Sequence, residues 1–396
     1  MIRLGVIGFG NRIGTTLKHM ALSNHQWEIT AVCDLRDRQE IELMMAERLP
    51  GLSLENTRFY TDADVMLAQE SLDGVIIGTR CDTHAEMACK VLDKKLPLML
   101  EKPVATNMAD LIKLHEAGLR NPEVKTVVAF VLRYTPIVEI VKELVDSGKI
   151  GRITHMEAVN DVTYGGVYFW HWFRDENVTG GLFLQKATHD IDYLTWIAGE
   201  RPEVVAAMAS KQHYRGDHPA GLQCRDCLEK GECPESICHD HPYRRRQGKY
   251  ESCAFAVDTG NHDSAGILLR YANGMHLSYT QDFVVRRAPR RGARIIGDKG
   301  CIDFDFNTNE VDLTVYHYPR REKYTVDSSV FPDNHYGGDP LYCKNFLDVI
   351  AGEAESMADL TDGITSALIC LKAEESAGND RFEKICFPNG EKPWDE

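Results

Sequence analysis

Apolar positions in the first 125 residues fall into short unbroken runs: Leu4–Ile7, Ile29–Cys33, Gly74–Ile77, Leu98–Leu100 and Thr126–Phe130. Runs of that length without alternation predict strands buried on both faces. Between them apolar residues recur at helical spacing, as in Thr83–Leu92 and Thr106–Ala117. Strand and helix in alternation predict a parallel, doubly wound α/β sheet.

After Arg133 the pattern changes. An amphipathic helix is predicted near Pro136–Ser147, and Gly148 and Gly151 lead into longer runs in which apolar and polar residues alternate. Ile153–Val159, Val204–Ala209, Ala265–Tyr271, Met275–Phe283, Ala293–Ile296 and Val311–His317 read as strands, with Asn273-Gly274 as a hairpin turn between two of them. Helical patterns near Leu341–Ala351 and Asp362–Glu375 close the chain. The expected fold is α/β: a first domain over 1–125, then an α+β domain over 126–396 with a large, mainly antiparallel open sheet. Residues 213–250 have no clear period and read as an insertion.

A length of 396 residues, 43% hydrophobic and 27% charged, suits two soluble globular domains. Lys and Arg total 45 against 60 Asp and Glu, a net charge of −15. That balance argues against nucleic-acid and anionic-membrane partners. No apolar run approaches the roughly 20 residues of a membrane helix. Met1 to Gly8 runs straight into a strand pattern without the parts of a signal peptide, so a cytoplasmic location is expected. In that reducing compartment the 12 cysteines are thiols or metal ligands.

Gly8-Phe9-Gly10-Asn11-Arg12-Ile13-Gly14 follows the first strand and opens a helix. Gly8 permits the tight turn, Gly10 lets backbone approach a pyrophosphate, and the helix N-terminus offers free N–H groups. The usual third glycine falls at Ile13, with Gly14 one residue late. Asp34 ends the second strand where a carboxylate accepts from the adenosine ribose hydroxyls, favouring NAD, while Arg36 lies near enough to accommodate the phosphate of NADP. These signals together predict a Rossmann dinucleotide site.

Three further motifs carry a family resemblance: Gly78-Thr79-Arg80-Cys81-Asp82-Thr83-His84, Glu101-Lys102-Pro103, and the segment from Gly180 to Asp192 with Gln185, Lys186 and His189. Arg133-Tyr134-Thr135-Pro136, Gly148 to Arg152, Gly297 to Gly300 and His335 to Asp339 add to it. In order and spacing the chain resembles the glucose–fructose oxidoreductase / inositol dehydrogenase / MocA family, outside residues 213–250. The resemblance implies a Rossmann domain and a sheet domain whose open face often mediates oligomers, so a homodimer or homotetramer is expected. It implies an NAD(P)-dependent enzyme acting on a sugar, sugar acid or inositol. Lys102 becomes a catalytic lysine that contacts the reacting hydroxyl and the cofactor ribose, and Glu101 orients it or lines the cofactor pocket. Thr79, Cys81 and His84 line the nicotinamide side.

His189 is the second proton-transfer candidate, because imidazole exchanges protons near neutral pH. On a helix Gln185, His189 and Asp192 share one face, so Asp192 is placed to orient the ring. Gln185 stands where many relatives carry Asp, and Gln cannot take a proton. Lys186 either adds positive charge to the site or faces solvent. The aromatic stretch Tyr164–Arg174 offers Trp172 and Arg174 as substrate contacts, and Asn334-His335 precedes a Gly-Gly-Asp turn within reach of substrate.

Cys224, Cys227, Cys233 and Cys238 lie within fifteen residues, a spacing that suits a structural zinc ion ahead of an iron–sulfur cluster, or leaves four reduced thiols. His239 and His241 are spare ligands, and Arg244-Arg245-Arg246 is too short a basic run to imply RNA. The leading activity is oxidation of a secondary alcohol. Two others fit the motifs: an NAD-recycling glycosidase or lyase working through a transient keto-sugar, and a nucleotide-sensing regulator without catalysis.

Overall fold

The computed structural model describes residues 1–236, 251–319, 321–327 and 335–394. Its first sheet is parallel and contains β1 (Ile2–Ile7), β2 (Trp27–Cys33), β3 (Arg58–Tyr60), β4 (Gly74–Ile77), β5 (Leu98–Leu100) and β6 (Thr126–Val128) in the order β3-β2-β1-β4-β5-β6. The direction of winding reverses between β1 and β4, and open α/β sheets bind ligands in the crevice at the carboxyl ends of such strands. The loops beginning at Gly8 and Gly78 meet there. Each of the five predicted runs forms a strand. β3 is the addition: a three-residue edge strand, Arg-Phe-Tyr, has no apolar run to announce it.

The second sheet holds β7 (Ile153–Asp161), β8 (Pro202–Ser210), β9 (Ser264–Tyr271), β10 (His276–Asp282), β11 (Arg291–Gly297), β12 (Gly300–Asp305), β13 (Glu310–Val315), β14 (Arg321–Thr325) and β15 (Glu383–Lys384). Their order is β14-β13-β12-β11-β7-β10-β9-β8-β15, antiparallel throughout except where β7 meets β10. Asn273-Gly274 makes the expected turn, with Gly274 at φ +86 and the Asn273 side chain accepting from the Met275 amide at 2.9 Å. The polar edge strand β14 and the short β15 carry too little apolar pattern to be read from sequence.

Helices at 188–198 and 360–379 pack on this domain, and the second of them lies along β8. The helix Gly338–Ala351 crosses back and packs on the first helix, Asn11–Met20, with the Cys343 thiol 3.4 Å from the Thr16 carbonyl. The C-terminal part of the chain therefore supplies a wall of the first domain. Among the described residues no helix is long and apolar enough to cross a membrane.

Candidate active site

At the cofactor end, Gly8 adopts φ +81, and a Cβ there would lie 2.7 Å from the Thr79 amide nitrogen. Only glycine permits that approach between the loops after β1 and β4. Gly10 caps the first helix without a side-chain hydrogen bond, and a Cβ on it would meet nothing within 4 Å, so the helix N-terminus opens onto free space. Ile13, in place of the third glycine, is accommodated from the other side. A Cβ on Gly78 would come within 2.1 Å of the Ile13 side chain, so the missing side chain has moved to the facing loop.

The Asp34 carboxylate accepts from the Phe9 amide at 2.8 Å and from Arg36 through its amide (3.0 Å), Nε (2.9 Å) and Nη2 (2.7 Å). Burial by itself would raise this carboxyl, but those bonds outweigh it and hold it below the usual range. Asn11 accepts from Arg48. The backbone and carboxylate here fit a dinucleotide: a cradle open at Gly10, amides at a helix start, and an ionised acid at the end of β2.

At the reacting end, Lys102 follows β5 and donates to the main-chain oxygen of Gln185 at 2.8 Å. Burial lowers its ammonium to about 8, with the charge of Lys186 adding to the effect and Cys81 opposing it. Glu101 turns to Arg12 (2.8 Å), which also pairs with Asp339 (2.7 Å), so Arg12 joins the Glu101 loop to the returning helix. His84 lines the same loop from below, its Nδ1 2.8 Å from the Pro103 carbonyl. The bond between Lys102 and Pro103 is cis. Thr79 accepts from the Thr83 hydroxyl at 2.7 Å, and Cys81 is buried beside Lys102 with the Gln185 amide 3.1 Å away.

His189 is buried, and its Nδ1 has no hydrogen-bond partner among the described residues. Burial holds the imidazole well below its usual value, followed by the charges of Lys102 and Arg291. The ring is therefore neutral. The His335 ring lies 6.2 Å from it and is itself held by Asp339 at 2.8 Å.

Several predicted partners are engaged elsewhere. Asp192 does not reach the imidazole: Arg133 takes both its oxygens and also holds Asp362 at 2.6 Å. The cause is local. Residues Phe183–Ala187 form a π-turn before the α-helix Thr188–Ala198, so Gln185, His189 and Asp192 lose the face a continuous α-helix would give them. Gln185 is a neighbour of Cys81 and Thr179, not of a proton relay. Arg174 is spent on Asp258 (2.6 Å) and Thr259 (2.7 Å), while Trp172 lies under the Arg80 guanidinium at 3.8 Å. Lys186 does not face solvent: it is 5% exposed and donates to the Tyr164 hydroxyl at 2.6 Å. Tyr164, Arg291 and Asp339 went unnoticed as site residues because each reaches the pocket only through the fold.

Cys224 and Cys227 are buried and Cys233 half-buried, none of them in a disulfide among the described residues, while Cys238, His239, His241, the arginine run 244–246 and Asn334 lie outside the described residues. A bridge between Gln223 and Ser252 brings in Cys253, whose amide donates to the Leu222 carbonyl at 2.8 Å. Cys224 and Cys253 thus stand diagonally on one face of the pair. Among the described residues, three ligand atoms already within 4.8 Å of one another occur instead at His25, Asp348 and Glu353.

Fold and site together define an NAD-binding oxidoreductase. Residues 2–128 match the profile of the oxidoreductase family with an NAD-binding Rossmann fold, and residues 138–303 match the GFO/IDH/MocA C-terminal domain. The chain belongs to the GFO/IDH/MocA family. It is 29% identical over 376 residues to YteT of Bacillus subtilis, named as an oxidoreductase, covering 82% of this chain and 85% of that one. It is 28% identical over 215 residues to myo-inositol 2-dehydrogenase of Thermotoga maritima, 53% of this chain and 58% of the relative. Among solved structures, levoglucosan dehydrogenase in complex with NADH and levoglucosan superposes with a TM-score of 0.76 at 18% identity, over 97% of this chain and 99% of that one. Myo-inositol 2-dehydrogenase of Lactobacillus plantarum gives 0.69 at 18% identity, over 97% and 99%. At that identity the likeness is one of fold.

Proposed function

We propose that the protein oxidises a secondary alcohol of a sugar, sugar acid or inositol. Bound NAD supplies the hydride acceptor. One observation carries the reading: a buried amine lowered to about 8 and a buried imidazole held well below its usual value, its Nδ1 without a partner among the described residues, lie close enough that the charge of Lys102 acts on the His189 ring.

At neutral pH a useful fraction of Lys102 is free amine, able to take the hydroxyl proton, and its ammonium form stabilises a developing alkoxide. His189 offers its open Nδ1 to the same hydroxyl or to the one beside it. The Glu101–Arg12–Asp339 chain holds the loop bearing Lys102, and the Gln185 carbonyl aims the amine. Asp34 accepts from the adenosine ribose, which favours NAD. The division at about residue 125, a cytoplasmic location and a homo-oligomer formed through the open sheet face, where Met208 is 82% exposed, are part of the same proposal. A structural zinc on the cysteine segment completes it, supported by buried thiols on one face of a bridge; Cys253 joins Cys224, Cys227 and Cys233 as a candidate ligand beside Cys238.

Incubation with NAD and a panel of free sugars, inositols and aryl glycosides tests the activity. Stoichiometric NADH is expected. Aglycone release or deuterium uptake at C2 without net NADH would replace the proposal with redox-recycling elimination, and silence in every channel would leave a nucleotide-binding role.

A further inference from the structure

Oxidation of an alcohol by NAD sends the hydride, with its electron pair, to the nicotinamide and leaves one proton over. That proton must reach water before the next turnover. Most titratable groups around Lys102 and His189 are shut off from water. Cys81, His84, Lys186 and Asp190 are each 6% exposed or less. His84 is held on the Pro103 carbonyl, and Glu101 is spent on Arg12. His189 itself is 7% exposed.

His335 differs. Its side chain is 36% exposed, yet burial is the main influence on the ring, so it lines an opening rather than standing out on the surface. Its ring centre lies 6.2 Å from that of His189, a gap that one water spans. On its other side Nδ1 is 2.8 Å from an Asp339 oxygen. Burial by itself would raise the Asp339 carboxyl, but the Arg12 guanidinium and the His335 bond outweigh it and hold it well below the usual range. An ionised carboxylate only accepts, so Nδ1 carries the hydrogen and Nε2 is left as a proton acceptor. Burial keeps the ring below its usual value against the pull of Asp339, with the charges of Arg12 and Arg291 adding to the effect.

The backbone is bent to put this imidazole there. His335 and Tyr336 both adopt left-handed φ, +56 and +54, ahead of Gly337 at +90. Residues with a side chain seldom do so twice in succession, and such strain persists only where the surroundings fix it. Asp339 holds one end. Gly338 packs so closely that a Cβ on it would lie 1.9 Å from the Val131 carbonyl oxygen.

We propose that His335 is a catalytic residue for proton exit: the proton taken from the alcohol at Lys102 passes by way of His189 to Nε2 of His335 and from there to water, while Asp339 orients the ring and stays ionised. The hydride remains on NAD, so no further reactant is needed. The inference rests on the oxidoreductase reading above.

The experiment takes the full chain with NAD and myo-inositol, D-glucose or D-galacturonate, in dilute buffer at neutral pH with and without added imidazole. His335→Asn is the variant, because Asn tolerates a left-handed φ; His335→Gly serves as the second should the first not fold. In dilute buffer kcat is expected to fall about ten- to a hundredfold, with KM and NADH affinity little changed. Added imidazole should restore most of that loss and leave the unaltered chain unaffected. A merely structural role would not respond to imidazole. Unchanged kcat, a loss that imidazole does not repair, or a loss carried by KM or NADH affinity overturns the proposal while the oxidoreductase reading stands. No NADH from any of the three compounds with the unaltered chain counts against that reading and takes this inference with it.

Discussion

The Lys102 ammonium donates to the main-chain oxygen of Gln185 at 2.8 Å, tying the end of β5 to the π-turn that leads into the His189 helix. Because the acceptor is backbone, the link does not depend on which side chain stands at 185. Gln185 therefore holds the amine through its backbone while its side chain carries no titratable proton.

Lys102 should set the pH dependence of the reaction. Its pKa is lowered, so the free amine forms on raising pH through about 8. In the oxidising direction kcat/KM is expected to rise through that value and level off above it; in the reducing direction it falls. Lys186→Met removes a like charge and moves the inflection upward, though burial, the larger cause, keeps it under the ordinary lysine value. Lys102→Met should cut kcat by about 10²–10⁴ with NADH affinity changed by less than about tenfold. A flat profile across this range in steady-state assays would remove Lys102 from the chemistry.

Asp34 and Arg36 form one hydrogen-bonded unit at the end of β2, where the proposed site would hold the adenosine ribose. Asp34→Ala removes an ionised acceptor worth about 1.5–3 kcal/mol and releases Arg36 from its carboxylate, leaving it on the Phe9 carbonyl and Met44. NAD affinity should fall about ten- to a hundredfold while NADP affinity rises. Fluorescence titration with both reduced cofactors reads the change, and parallel losses for the two would contradict it.

Ile13 and Gly78 exchange the space that the usual third glycine leaves. Gly78→Ala places a methyl against the Ile13 side chain and should cost about 1–3 kcal/mol through overpacking. Ile13→Ala in the same chain removes the clashing atoms and should recover most of that loss. A denaturant-melting cycle with additive effects would mean the two positions are not coupled.

Asp192 is expected to behave as a fold residue. Asp192→Ala leaves the buried Arg133 guanidinium with one fewer carboxylate, and such a break costs about 3–5 kcal/mol. His189→Asn should cut kcat by about 10²–10⁴ while changing stability by less than about 1 kcal/mol. Thermal melts and kcat on both variants distinguish the roles, and unchanged stability in Asp192→Ala would count against the buried pair.

Metal analysis of the purified chain should find about one zinc per chain, with Cys224→Ser, Cys227→Ser and Cys233→Ser each losing it. Comparing Cys253→Ser with Cys238→Ser identifies the fourth ligand. Far less than one metal in the unaltered protein would rule the site out.

The sequence by itself determined the parts whose physics is local. Apolar runs bounded by Gly8, Gly78 and Pro103 can only be short buried strands ending at one edge, and an acid after β2 falls where parallel winding puts it. Asn273-Gly274 demanded a hairpin because few other residues turn so tightly. What the tertiary structure decided is the partner of each buried polar group. Arg133 reaches Asp192 and leaves the imidazole open, Asp258 claims Arg174, the returning helix brings Asp339 to Arg12, and Tyr164 lands on Lys186. The π-turn at 183–187 rotated the face that helical spacing predicted. A buried charge pairs with whatever the packed chain sets within a few ångströms, and that distance has no signature in residue spacing.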